Sequence, residues 1–131
     1  MNRVSEKVVY PELSYKIVGT TFRVFNTLGH GMSEKHYQRA FAKELEQEGI
    51  KFKREMSVAI SYDNESIGKC FLDFVIEDKI VVELKVRFKL GYVHIKQVME
   101  YLKTTGYKLA ILVYFTKEGV KYRRIVNSYI K

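Results

Sequence analysis

Phe71-Leu72-Asp73-Phe74-Val75-Ile76-Glu77-Asp78-Lys79-Ile80-Val81-Val82-Glu83-Leu84-Lys85-Val86 is the stretch whose reading decides the fold. Two apolar runs rich in Val and Ile flank a short charged segment, the pattern of two strands joined by a turn. A three-residue loop, Glu77-Asp78-Lys79, pairs Ile76 with Ile80 and Asp73 with Glu83. A two-residue loop would slip the register by one and flip the faces, so it is disfavoured. In the favoured register the Cβ atoms of Asp73 and Glu83 stand roughly 4.5–5.5 Å apart. Lys85 lies two residues beyond Glu83 and points the same way. Leu72, Phe74, Ile76, Val82, Leu84 and Val86 then form an apolar opposite face. Two carboxylates that close repel each other unless a cation or a proton lies between them.

The chain upstream reads as helical and then extended. Pro11 stands just before a helical pattern, a place that tolerates proline. Leu13, Ile17, Thr21, Val24, Phe25 and Leu28 keep helical spacing. Gly29-His30-Gly31 ends that helix, and Ser33 is an N-cap for a second helix over residues 34–48. From Phe52 the period changes to two: Met56, Val58, Ile60 and Tyr62 alternate with polar residues up to an Asp63-Asn64-Glu65 turn. Downstream, residues 92–104 are helical and Gly106 caps them. Residues 108–115 are a near-continuous apolar run, suiting a strand buried on both faces. Residues 120–130 are basic and fit strand or helix. The order, α-α-β-β-β-α-β and a tail, predicts one α/β domain over residues 1–131 with a mixed sheet between helices. The first ten residues read as a loose arm.

Composition limits the partners. The chain has 131 residues, 47% hydrophobic and 29% charged, which is ordinary for a globular protein. Its single cysteine, Cys70, excludes an internal disulfide framework and suits a reducing cytosol. The first 14 residues carry no signal-like apolar stretch, and the longest apolar run, 109–115, is too short to span a membrane. The expectation is therefore a cytoplasmic protein without a membrane partner. Charge is uneven: residues 1–83 hold 12 basic and 13 acidic residues, residues 84–131 hold 11 and 2. A carboxyl-terminal half this basic suits nucleic acid.

Asp, Glu and Lys on one patch suit phosphodiester hydrolysis. Magnesium takes one or two carboxylates and completes its shell with water and substrate phosphate. The metal acidifies water and offsets charge on the phosphate, and a neighbouring lysine stabilises the transition state. A Glu-x-Lys pair on a strand is by itself also what a solvated ion pair looks like. His94, Gln97 and Tyr101 share one stripe of the third helix. Glu34 and Tyr37 lie one turn apart on the second, where Glu34 also complements the helix dipole. His30, His36 and His94 lack zinc-site spacing with Cys70.

Together these residues resemble the PD-(D/E)XK nuclease superfamily, and within it the small GxxExxY proteins. The motifs are Gly31-Met32-Ser33-Glu34-Lys35-His36-Tyr37, Asp73 with Glu83-Leu84-Lys85, and Gln97-Val98-Met99-Glu100-Tyr101 in the manner of RecB-like nucleases. The proline of the superfamily name is absent, and Leu72 precedes the aspartate. The resemblance covers about residues 10–125. It implies a restriction-endonuclease-like core with a four-stranded mixed sheet flanked by helices. It also implies roles. Asp73 and Glu83 would hold Mg²⁺ or Mn²⁺, with Glu34 and the backbone carbonyl of Leu84 completing the shell. Lys85 would assist the attacking water, and Gln97 and Tyr101 would orient the scissile phosphate. Arg87, Lys89, His94, Lys121, Arg123 and Arg124, with Lys117, would give a flank for nucleic acid. DNA is the expected substrate, with RNA and a homodimer left open. Two other readings stand beside the nuclease: a nucleic-acid-binding module or accessory subunit that has lost catalysis, and a structural protein in which Asp73, Glu83 and Lys85 form an ion-pair network.

Overall fold

The computed structural model describes residues 9–86 and 92–129. Two helices come first, α1 (Pro11–Leu28) and α2 (Glu34–Gln47). Ser33 caps α2 by accepting from the His36 N–H at 3.3 Å. Gly29 and Gly31, at φ 72° and 92°, take left-handed conformations in the turn between the helices, where a side chain would be strained. Strands β1 (Phe52–Tyr62), β2 (Glu65–Ile76) and β3 (Ile80–Val86) follow, then α3 (Tyr92–Thr105), β4 (Leu109–Thr116) and β5 (Gly119–Val126). The ambiguous basic tail is thus largely a strand, and the sheet has five strands where four were expected. Its order is β1-β2-β3-β4-β5, with β3 and β4 parallel and the other neighbours antiparallel. β5 is an antiparallel addition to β4, joined by the tight turn at Lys117-Glu118.

The two faces of the sheet bury different cores. On one, α1 and α2 cover Phe74, Ile76, Val82, Leu84, Ile111 and Phe115. On the other, Val98 and Leu102 of α3 cover Val75, Val81, Ala110, Leu112 and Tyr114. All eight residues of β4 are buried, which explains its unbroken apolar sequence. Tyr37 stacks on Phe115 with centroids 4.1 Å apart and donates its hydroxyl to Gly29 O at 2.5 Å. Phe41 meets Phe74 edge-on at 4.9 Å. We expect Phe41→Ala to cost about 3–5 kcal/mol of stability and Tyr37→Phe about 1 kcal/mol, read by urea denaturation.

Two sequence expectations change here. Val9 and Tyr10 are not part of a loose arm: both rest against the first core, and Val9 O accepts from Arg124. Leu72 lies in the α3 core, not beside Phe74. The cause is in β1, where Glu55 takes φ 51° and the regular pairing skips Glu55 opposite Asp73. Before the kink, Phe52 packs on the α1/α2 side; after it, Met56 and Val58 pack on the α3 side. Both strands of the hairpin change face at the level of Asp73.

Candidate active site

The β2–β3 register is the one read from the sequence: Ile76↔Ile80, Val75↔Val81 and Phe74↔Val82. Glu77 and Asp78 turn the chain with φ 53° and 56°, closed by Lys79 N–H to Ile76 O at 2.9 Å. The backbone ladder stops at the next pair, Asp73 and Glu83. There the side chains take over. Glu83 Oε2 accepts from the Asp73 N–H at 2.7 Å, and Asp73 Oδ2 accepts from the Leu84 N–H at 3.0 Å. Each carboxylate satisfies the opposite strand's main chain and has a second oxygen to offer. Lys85 Nζ lies 3.8 Å from Glu83 Oε1.

Burial gives this pair its character. The Glu83 side chain is 3% exposed and that of Lys85 17%. Burial, and then the charge of Asp73, push the Glu83 carboxyl up to about 8; the Asp73 N–H and Lys85 oppose the rise without cancelling it. Asp73 is also raised, first by burial, against the Leu84 N–H, Lys85 and Arg54. Glu34, half-buried in the first turn of α2, is close enough for its charge to raise both carboxyls. Tyr101 is pushed up to about 12 by burial and then by Glu83, Cys70 and Asp73. Two carboxylates that their own lysine leaves under-compensated suit a hard cation. Among the described residues no three His, Cys, Asp or Glu side chains converge to hold a metal. Asp73 and Glu83 are the two carboxylates here that could offer oxygens to a cation, with Glu34 within electrostatic range. That two-carboxylate set fits Mg²⁺, which keeps several waters and substrate oxygens in its shell.

The remaining residues divide. Gln97, exposed, and Tyr101, half-buried, line a groove of ≈ 600 Å³ between α3 and the β1–β2 hairpin. His94 is half-buried, its Nδ1 2.6 Å from the hydroxyl of buried Tyr114, so it is tied to the sheet. Lys121 pairs in register with Tyr114, itself opposite Lys85, and Arg123 pairs with Leu112, itself opposite Glu83. Both therefore lie on the site's face, two strands and about 10 Å away. Lys121 is engaged by Glu118 at 2.9 Å, and Arg123 is exposed. Arg124 faces the other way, its guanidinium bonded to Ser14 Oγ at 3.3 Å and Val9 O at 2.5 Å. It anchors α1 to β5 and does not belong to the basic flank. Arg124→Ala should lower the melting temperature by several degrees and leave binding of nucleic acid unchanged, while Arg123→Ala should reduce the salt dependence of binding. Arg87 and Lys89 lie outside the described residues.

Sequence reasoning passed over Arg54, and weighed Cys70 only for disulfides and zinc. Arg54 stacks over Phe74 at 5.2 Å, and its charge favours ionised Asp73. Its signal was an arginine at the inward parity of β1, between Phe52 and Met56. Cys70 is half-buried within electrostatic range of Glu83.

A mixed sheet between helices, opened where half-buried Asp73 meets buried Glu83 with a lysine adjoining, is a restriction-endonuclease-like core. The chain belongs to the PD-(D/E)XK nuclease superfamily, whose family model matches residues 11–125. It is similar in structure to SSO0001, at 20% identity and TM-score 0.57, over 71% of this chain and 49% of that one. It thus spans about half the length of that protein. A second similar structure is an alkaline exonuclease (LHK-Exo) from Laribacter hongkongensis, at 12% identity and TM-score 0.49, over 83% of this chain and 77% of that one. No curated protein matches the chain. No helix among the described residues is long and apolar enough to cross a membrane.

Proposed function

We propose that the chain is a metal-dependent nuclease that hydrolyses DNA phosphodiester bonds. The observation that carries this reading is the pairing of half-buried Asp73 with buried Glu83, bonded across the strand opening with Lys85 beside it. Asp73 and Glu83 would hold Mg²⁺ or Mn²⁺, with the Leu84 carbonyl and Glu34, directly or through water, completing the shell. The bound cation would supply positive charge to the phosphate and make water easier to deprotonate.

The chain's own residues supply the rest. The two backbone N–H bonds fix both carboxylates before substrate arrives, so little reorganisation is needed. Lys85, on the same strand face, is placed to orient water and to stabilise negative charge on the phosphoryl oxygens. Gln97 and Tyr101, on the facing helix, orient the scissile phosphate. Tyr101 keeps its proton throughout the working pH range, so it acts as a donor. Arg123 and the basic carboxyl-terminal half hold the backbone without reading sequence. The segment from Gly31 to Tyr37 supports placing the chain among the GxxExxY proteins, with Tyr37 in the core and Glu34 toward the site.

The test is cleavage of linear, circular and single-stranded DNA by purified protein with Mg²⁺, Mn²⁺ or EDTA. Cutting with either metal and none with EDTA is expected. A well-folded protein that binds DNA but cuts none of these substrates would instead be a binding module or accessory subunit.

A further inference from the structure

Arg54 stands on β1 in register with Phe74, one residue before the Glu55 kink opposite Asp73. It shares the parity of Phe52, so its side chain lies on the α1/α2 face of the sheet, where Phe52 and Phe74 pack. The guanidinium carbon is 5.2 Å from the centroid of the Phe74 ring, and the residue is half-buried. An arginine drawn this far into a protein is ordinarily paired with a carboxylate. Among the described residues the Arg54 guanidinium makes no hydrogen bond and no ion pair. Its Nε is the one buried side-chain polar atom among them without a partner, so the unpaired Nη groups reach solvent. Asp73 does not claim the charge: its Oδ2 accepts from the Leu84 N–H, and it feels Arg54 only at range. An unpaired buried donor is costly, and a ring face offsets only part of that cost. The arrangement is poor for stability and good for binding: the ring holds the guanidinium flat, with two donors open to an oxyanion. Lys85 differs on both counts. It pairs in register with Tyr114 on the α3 face, and Glu83 engages it. The two cations flank the opening from opposite faces, so they serve different phosphates.

We propose that Arg54 is a substrate-binding residue whose Nη groups donate to oxygens of the phosphate next to the scissile one, on the α1/α2 side of the opening. The nucleic-acid strand then crosses the opening from the Lys85 side to the Arg54 side. The position relative to the scissile phosphate rests on the nuclease reading, but the phosphate contact is measurable without cleavage. A contact away from the reacting phosphate is as strong in the ground state as in the transition state, so it acts on affinity. It also carries no sequence information.

The experiment measures binding of labelled DNA oligonucleotides by fluorescence anisotropy in EDTA across a salt titration, then cleavage in Mg²⁺. Arg54→Met keeps an unbranched side chain over Phe74 and removes the donors. It should bind about tenfold more weakly, alike for unrelated sequences, with a slope of log affinity against log salt smaller by about 1. Arg54→Lys should keep the slope and recover part of the affinity. In cleavage, Arg54→Met should lower kcat/KM about tenfold, chiefly through KM. Its melting temperature should be no lower than that of wild type, because an unpaired buried donor has gone. Placed in the Asp73→Asn background, Arg54→Met should still cost about tenfold in affinity. A loss that vanishes there would mean that Arg54 acts only through Asp73, and would overturn the proposal. Unchanged affinity and salt slope in Arg54→Met would overturn it as well, and a lower melting temperature beside them would assign Arg54 to the fold. A loss confined to kcat would also overturn it and leave the nuclease reading standing. Arg54-dependent, salt-sensitive binding with no cutting by wild type would sustain the phosphate contact and count against the nuclease.

Discussion

Replacing Glu83 with Gln should abolish metal-dependent cleavage and, in EDTA at pH 8, raise the melting temperature by about 5 °C. The two effects have one cause. Glu83 is buried beside Asp73, which makes its charge costly. Between its unfolded value of 4.5 and about 8, the folded state keeps a proton that the unfolded state has lost. Stability of the metal-free protein therefore falls as pH rises through that window. A glutamine carbonyl still accepts from the Asp73 N–H, so the strand opening is retained while the charge is gone. With a cation bound, the wild-type charge is neutralised and the advantage of the variant should shrink. Scanning calorimetry at pH 5 and pH 8, in EDTA and in Mg²⁺, reads all four corners. An unchanged melting temperature at pH 8 would show that the Glu83 charge is not strained.

The second large effect is on metal affinity. A proton and a cation compete for Glu83. Below about pH 8 the carboxyl is mostly protonated, so the apparent affinity for Mn²⁺ should rise nearly tenfold per pH unit and level off above that value. Between pH 6 and pH 8 the gain should be about 50-fold. Calorimetric titration in two buffers of different ionisation enthalpy should also show release of about one proton per cation at pH 7. Asp73 is raised as well, so the slope belongs to the pair, not to one residue. An affinity independent of pH would place the cation elsewhere or leave the pair ionised. Lys85→Ala removes the cation beside Glu83 and should shift the whole curve toward higher pH.

Much of this was legible in the sequence because β-hairpin register is a parity problem. Ile76 and Ile80 have to share a face, and that sets Asp73 opposite Glu83. The buried β4 was legible because both its faces are covered. Other features depend on partners that the local sequence does not name. Residues 120–130 carry charges that read equally as helix or strand, and Gly119–Val126 is a strand because β4 presents it an edge. Leu72 was placed on the wrong side because strict alternation cannot anticipate the positive φ of Glu55 in a neighbouring strand. Arg124 read as a phosphate contact, yet its partners Ser14 and Val9 lie over a hundred residues away in the chain.

We propose that Asp73 and Glu83 form a divalent-cation site for phosphodiester cleavage. The most direct measurement compares single-turnover cleavage by wild type and by Asp73→Asn, purified side by side, across a Mg²⁺ titration. Cutting should saturate with Mg²⁺ in wild type and fall by at least about a thousandfold in a variant that still folds and binds DNA. Equal cutting by the two proteins, or cutting by wild type that persists in EDTA, would contradict it.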